Sequence, residues 1–218
     1  MRRKKDRPGK AGPEKSAFTR RDFLKGAGVT VSGGLLVGGT VASAAPPGSE
    51  AGFVGPGAVP VTLRVNGKVH KLNLEPRVTL LDALRDRLSI TGSKKVCDRA
   101  TCGACTMMID RKPVYGCTVL AIEAQGHNIT TIEGLASDGK LAPVMEAFVQ
   151  HDAQQCGFCT PGFVMACTAY LERDQNPTME EISKNLGGNI CRCGTYWGIR
   201  HAVLEASKGM KGGAHGNV

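Results

Sequence analysis

The pattern of apolar and polar positions divides the chain into a strand-rich stretch and a helix-rich stretch. Val61, Leu63 and Val65 alternate with polar residues, the period of a half-buried strand. Asn66-Gly67 is a pair that the type I′ hairpin turn favours, and Val69, Leu72 and Leu74 continue a second strand with imperfect alternation. Leu80, Leu81, Leu84 and Leu88 then repeat at helical spacing, with Thr79 placed to cap the helix and Gly92 just past its expected end. Further short strands are expected over Thr106–Ile109, 118–122 and 129–132. The order of two strands, a helix, two strands and a final strand suits a small mixed sheet with one helix packed on it.

From residue 141 the period changes. Leu141, Val144, Met145 and Phe148, and then Phe163, Met165, Ala166, Ala169 and Tyr170, recur at intervals of three and four, which predicts helices over 141–150 and 162–173. Thr178-Met179-Glu180-Glu181 has capping-box spacing: Thr178 can accept from the Glu181 amide while the Glu181 carboxylate reaches back. A third helix should therefore run to about Leu186, where Gly187-Gly188 stops it, and a fourth from about Tyr196 to Lys208. A domain boundary is expected near 134–140. This gives an α+β protein with a sheet domain at 61–136 and a four-helix domain at 137–210.

Charge and composition account for the ends. Of 28 Lys/Arg and 19 Asp/Glu, ten Lys/Arg and three Asp/Glu fall in residues 1–44, so the basic excess is a terminal feature. The body has no basic signature for nucleic acid, and 5% aromatics offer few stacking platforms. No stretch reaches about 18 strongly apolar residues, so an ordinary membrane-spanning helix is not expected. Residues 1–25 are polar and basic, 26–44 are uncharged with six glycines, and Ala42-Ser43-Ala44 is a small-residue pattern that a signal peptidase accepts. A buried helix there would lose about 1 kcal/mol per glycine. Thr19-Arg20-Arg21-Asp22-Phe23-Leu24-Lys25 resembles the twin-arginine export signal, which implies passage of an already folded chain to the periplasm with cleavage after Ala44. Residues 45–60, rich in Pro and Gly, read as a linker, and 211–218 as a disordered tail.

Nine cysteines, all between Cys97 and Cys193, are too clustered to be incidental core thiols. Cys97, Cys102 and Cys105 form C-x4-C-x2-C, with Cys117 after eleven further residues, the plant-type ferredoxin spacing for a 2Fe-2S cluster held by four thiolates. The loop between them is small-residue-rich, able to wrap closely and turn backbone N–H groups toward sulfur. Four more form Cys156-x2-Cys159 and, after 31 intervening residues, Cys191-x-Cys193. Each pair is expected at a helix N-terminus, where the macrodipole favours thiolate. Two such starts facing each other would make a second four-thiolate site.

These segments, with the flanks Gln155–Gly162 and Gly188–Gly194, resemble the iron-sulfur subunit of the molybdenum hydroxylases, the xanthine oxidase and aldehyde oxidoreductase family, over residues 61 to about 208. The resemblance implies a ferredoxin-like β-grasp domain followed by a four-helix domain, each with one 2Fe-2S cluster. It also implies a separate large subunit whose molybdopterin hydroxylates substrate with water. Electrons would leave through Cys156, Cys159, Cys191 and Cys193 and then Cys97, Cys102, Cys105 and Cys117, toward an FAD subunit or a c-type cytochrome. By the same resemblance Gln155 and Cys193 lie against the pterin, and aldehydes oxidised to carboxylic acids are the expected substrates, with purines, N-heterocycles and carbon monoxide as alternatives. One departure stands out: the family commonly has glycine at the positions of Val96 and Ala100, and if the latter takes positive φ, alanine is strained there.

Other readings of the cysteines are disulfides, which an oxidising compartment permits, and zinc, for which the one-residue gap of Cys191-x-Cys193 is unusual. No Cys-x-His pair exists for Rieske ligation. Cys167 is expected to be a buried inert thiol, Asp82 and Asp86 to form a solvated helix face, Trp197 to pack, and the histidines to serve surface or packing roles. Arg192 could offset cluster charge or meet a partner. Nothing pairs a nucleophile with a base, so the chain has no catalytic residues of its own. A stand-alone ferredoxin-type carrier is the alternative function, against which the helical half argues.

Overall fold

The computed structural model describes residues 57–137 and 139–210. The expected signal peptide at 1–44, most of the linker at 45–60 and the tail at 211–218 lie outside the described residues. Strand β1 (Val59–Val65) begins two residues earlier than its alternation suggested, taking in Val59 and Pro60 from the expected linker. Its inward side chains Val61, Leu63 and Val65 are fully buried, and Asn66-Gly67 turns it into β2 (Lys68–Leu74) with φ of +48° and +76°, the left-handed pair of a type I′ turn.

Thr79 caps the following helix, its hydroxyl accepting from the Asp82 amide at 3.1 Å. The helix opens as α1 (Leu80–Asp82) and then widens into a π-helical turn (Ala83–Arg87), so it ends at Leu88, four residues before Gly92. Ser89 takes the left-handed position (φ +56°), and the Ile90 amide closes onto the Leu84 carbonyl. Gly92 instead marks a close approach of two segments, since its amide donates to Glu133 at 2.7 Å and the Ile132 side chain leaves no room for a Cβ. Asp82 is not simply solvated but pairs with Lys95 at 2.7 Å, whereas Asp86 is exposed as expected.

Strand β3 (Thr106–Ile109) turns at Asp110-Arg111, both left-handed, into β4 (Lys112–Tyr115), and β5 (Asn128–Thr130) completes the sheet. The strand expected at 118–122 is instead a series of turns. Its backbone groups bond to the approach to α1 (Leu80 N to Val119 O at 2.7 Å, Ala121 N to Val78 O at 2.9 Å), with only a single bridge between Thr79 and Leu120. The strand that replaces it, β4, carries Pro113, which an edge position tolerates because its missing donor faces no partner. The sheet order is β2-β1-β5-β3-β4, with β1 and β5 parallel and the other pairs antiparallel.

A 3-10 turn (Ile132–Gly134) leads to the helices α2 (Pro143–Gln150), α3 (Thr160–Leu171), α4 (Met179–Asn185) and α5 (Tyr196–Met210). The Thr178–Glu181 capping box of α4 is present in both directions. Helix α3 is the central element, packed on β3 and β4 and also on α2 and α5, and it is buried along most of its length. One apolar core lies between α1 and the sheet and another among the helices, and a small third cluster of Met108, Met165 and Ala169 joins them. Among the described residues no helix is long and apolar enough to cross a membrane.

Candidate metal centres

The first cysteine set is assembled by the β3–β4 hairpin. Cys105 precedes β3, Cys117 follows β4, and the pairing of Thr106 with Tyr115 brings them together, with the Gly116 amide on the Cys105 carbonyl at 3.3 Å. The Cys117 thiol lies close enough to Cys105 to act on its ionisation, as Cys102 does on Cys97 in the loop before them. That loop turns amides toward sulfur: Ala100 N donates to Cys117 Sγ at 3.4 Å and Thr101 N to Cys97 Sγ at 3.3 Å. The inward turn requires left-handed backbone at Asp98 (φ +56°), Ala100 (φ +54°) and Gly103 (φ +69°). Ala100 therefore carries the expected strain, about 1–2 kcal/mol for an L-residue in this region. Lys95 steadies the loop by bridging Asp82 at 2.7 Å and Asp98 at 3.3 Å.

The second set joins two helix starts, as the sequence implied. Cys159 is the N-cap of α3 and Cys156 lies one turn before it, while Cys191 and Cys193 precede α5. Cys156 and Cys193, and likewise Cys159 and Cys191, lie close enough for each thiol to influence the ionisation of the other. Thr195 Oγ1 stands 3.1 Å from Cys191 Sγ, and the Cys191 amide donates to the Tyr196 hydroxyl at 2.8 Å. Tyr196 in turn sits edge-on against Phe163 of α3.

The thiols of each set are electrostatically unlike. Backbone amides of Arg99 and Thr101 pull Cys97 down to about 7, while burial pushes Cys105 up to about 12. In the second set burial opposes ionisation of Cys191, but the hydroxyl and amide of Thr195 outweigh it and bring the thiol down to about 7. Burial, then the Cys191 thiol, pushes Cys159 up to about 12. A buried thiol that resists ionisation alone becomes a thiolate when a cation is its partner, so the donor chemistry of both sets fits iron. Among the described residues no three His, Cys, Asp or Glu side chains converge at single-ion spacing. Among the described residues two buried side-chain oxygens have no hydrogen-bond partner: Ser93 Oγ, four residues before Cys97, and Thr160 Oγ1, directly after Cys159. Such a group costs about 1–3 kcal/mol when left unpaired.

The two sets abut through backbone. Ile190, beside Cys191, donates its amide to the Cys102 carbonyl at 2.9 Å. The buried Asn189 side chain donates to Gly103 O at 2.9 Å and Thr106 Oγ1 at 3.2 Å, and Tyr115 donates to Gly188 O at 3.0 Å. Gly103 leaves no space for a Cβ, which would lie 2.6 Å from Asn189 Nδ2 and 2.7 Å from Gly188 O. Gly162 of α3 is likewise pressed onto Gly103 and Ala104. The sequence singled out the cysteines, carried Thr160 and Asn189 only within their flanking segments and Tyr196 only as a helix start, and did not point to Tyr115 or Thr195. The glycines among their neighbours were the available signal, since close backbone approach selects that residue.

The remaining sequence-predicted positions are placed as follows. Gln155 is exposed beside the exposed Cys156, Cys193 is exposed, and Arg192 is exposed between the two cysteines of its pair. Cys167 is fully buried in α3, and burial pushes its thiol far up. Trp197 does not pack into the core: it is 70% exposed and lies on the His201 ring at 4.0 Å. No disulfide joins any of the nine cysteines.

Residues 131–204 match the model of a [2Fe-2S] binding domain. The aldehyde oxidoreductase iron-sulfur-binding subunit PaoA of Escherichia coli K12 is 38% identical over 222 residues, covering 94% of this chain and 95% of that protein. The nicotine 6-hydroxylase small subunit of Paenarthrobacter nicotinovorans is 45% identical over 148 residues, covering 68% of this chain and 89% of its own length. Among solved structures, quinoline 2-oxidoreductase from Pseudomonas putida 86 superposes with a TM-score of 0.69 at 35% identity, covering 72% of this chain and 98% of that one. The aldehyde oxidoreductase of Desulfovibrio desulfuricans ATCC 27774 superposes with a TM-score of 0.67 at 37% identity, over 70% of this chain and 17% of that much longer one.

Proposed function

The chain belongs to the iron-sulfur subunits of the molybdenum hydroxylases, and we propose that within this family it serves an exported enzyme that oxidises aldehydes to carboxylic acids. As a member it is an electron-transfer subunit that works beside a molybdopterin-bearing large subunit. The observation that carries the electron-transfer role is the grouping of eight thiols into two sets of four, joined through the Ile190–Cys102 hydrogen bond. Cys97, Cys102, Cys105 and Cys117 would hold one 2Fe-2S cluster and Cys156, Cys159, Cys191 and Cys193 the other. When bound, such clusters supply one-electron storage and transfer between the molybdenum subunit and an acceptor.

The chain's own residues prepare both places. Amides of Ala100 and Thr101 aim at sulfur, so anionic ligands are stabilised before any cation enters. The exposed Gln155, Cys156 and Cys193 lie together on the helical side, the face where the large subunit and its pterin would sit, with exposed Phe158 and Ile190 as apolar contacts. The acceptor would be an FAD subunit or a c-type cytochrome. Aldehyde as substrate is supported by likeness to an aldehyde oxidoreductase subunit along nearly the whole chain, including part of the N-terminal region, whereas the nicotine 6-hydroxylase small subunit matches a shorter stretch. Periplasmic location is supported by the Arg20-Arg21 motif and the Ala42-Ser43-Ala44 pattern.

The test is iron and sulfide analysis with EPR of the native complex. About four iron atoms per chain are expected. Cys105→Ser and Cys191→Ser should each abolish a different one of two reduced-state signals. A colourless zinc-containing complex, or one variant abolishing neither signal, refutes the ligand sets. Amino-terminal sequencing of the mature chain checks cleavage after Ala44, and turnover of aldehydes against purines and N-heterocycles checks the substrate class.

A further inference from the structure

We propose that the Thr160 hydroxyl donates a hydrogen bond to the iron-sulfur centre of Cys156, Cys159, Cys191 and Cys193 and thereby raises its reduction potential. The inference rests on the assignment of those four thiolates to one centre. Thr160 is the first residue of α3 and directly follows Cys159. Its Oγ1 is closed off from solvent and bonds to no protein atom.

Three other threonine hydroxyls in or capping helices of this chain find local partners. Thr168, on the same helix, turns back to the Val164 carbonyl at 2.8 Å, and Thr79 and Thr178 accept amides at the starts of their helices. Thr160 sits one position too late to cap, because Cys159 occupies the cap. The carbonyl three residues back, that of Gly157, already accepts the Thr160 amide at 3.3 Å. The local backbone therefore gives this hydroxyl nothing, no thiol bonds to it, and the side chain that precedes it in the chain is that of Cys159.

Thr195 shows what a threonine does on the other side of the same site. Its hydroxyl lies 3.1 Å from Cys191 Sγ at the start of α5, while Thr160 directly follows Cys159 at the start of α3. Sulfur bound to iron is an anionic acceptor, and it gains charge on reduction. A donated hydrogen bond therefore favours the reduced form and moves the potential up. Thr160 is a positioning and tuning residue on this account, not a ligand.

The experiment is a redox titration of the loaded complex followed by EPR, for the wild type, Thr160→Val and Thr160→Ser. The relevant signal is the one lost in Cys191→Ser. In Thr160→Val the ratio of reduced to oxidised second centre should fall about tenfold at a fixed potential, a shift of about 59 mV for a one-electron couple. The first centre should titrate as before, and Thr160→Ser should restore the wild-type value. Proton ENDOR after exchange into deuterated buffer should show an exchangeable coupling at the reduced second centre in the wild type that Thr160→Val lacks. An unchanged potential with the coupling retained in Thr160→Val would overturn the proposal and assign the hydroxyl to water. Should Thr160→Val fail to retain the centre, Thr160→Ala carries the same comparison. Iron analysis of the wild type, made first, separates failure of the ligand assignment from failure of the hydroxyl's role.

Discussion

Gly103→Ala, set beside Gly126→Ala, measures how tightly the two cysteine segments are pressed together. Both glycines are left-handed, with φ of +69° and +81°. A Cβ at Gly126 would meet nothing within 4 Å, so that substitution isolates the backbone strain, about 1–2 kcal/mol. At Gly103 the same strain is joined by contacts of 2.6 Å to Asn189 Nδ2 and 2.7 Å to the Gly188 carbonyl, both well inside the 3.4 Å at which ordinary contact begins. The Gly188 carbonyl is backbone, and Asn189 is held by its bonds to Gly103 O and Thr106 Oγ1, so neither can rotate away. Overpacking of this kind costs about 1–3 kcal/mol more. Gly103→Ala should therefore destabilise by about 2–5 kcal/mol in all. For a chain of this size each kcal/mol lowers the melting midpoint by about 2–4 °C. Thermal unfolding followed by circular dichroism should thus place Gly103→Ala about 2–12 °C below Gly126→Ala. Equal midpoints for the two variants would show that the segments are not in tight contact and that the Asn189 bridge does not hold them.

Ala100→Gly should stabilise the first cysteine loop, since relief of about 1–2 kcal/mol of left-handed strain exceeds the roughly 0.4–1 kcal/mol entropic cost of glycine; slower loss of iron to a chelator would register it, and faster loss would contradict it. Thr178→Ala removes the cap of α4 and should cost about 1 kcal/mol in denaturant unfolding while leaving iron content unchanged. Asp82 has its carboxyl held low: partial burial opposes this, but the Lys95 ammonium and Thr79 hydroxyl outweigh it. Its contribution is therefore present above the ordinary carboxylate value near pH 4 and fades as pH falls through the lower folded value. Asp82→Asn should flatten that part of the stability–pH curve, and an unchanged acid limb would discount the pair.

The sequence made the periodic elements legible because burial leaves a direct trace in residue spacing. Val61, Leu63 and Val65 declared β1, and Thr178 with Glu181 declared α4 to its capping hydrogen bonds. Strand β4 was hidden because Lys112 and Pro113 face solvent at a sheet edge, where neither apolar alternation nor amide donors are required. The apolar run at 118–122 misled for the opposite reason: its side chains are partly buried against α1, yet its backbone bonds are spent on turns. The helix at Leu80 was overextended because spacing cannot show that a π turn will end it at Leu88. At the candidate centres, cysteine spacing and the strain at Ala100 could be read in advance. The partners Asn189, Tyr115 and Thr195 could not, because their contacts join residues far apart in sequence or depend on a single rotamer.

The shared backbone boundary between Gly103 and Gly188-Asn189-Ile190 also limits how such a chain can be recombined. A ferredoxin-like half transplanted from another protein would arrive with its own loop contour and would have to present a bare α-carbon at 103, an exposed carbonyl at 102 and a phenol at 115 to its new neighbour. Exchange of halves is thus a problem of matching two carved surfaces, and a chimera that ignores them would inherit eight thiols without the mortise that sets one group against the other.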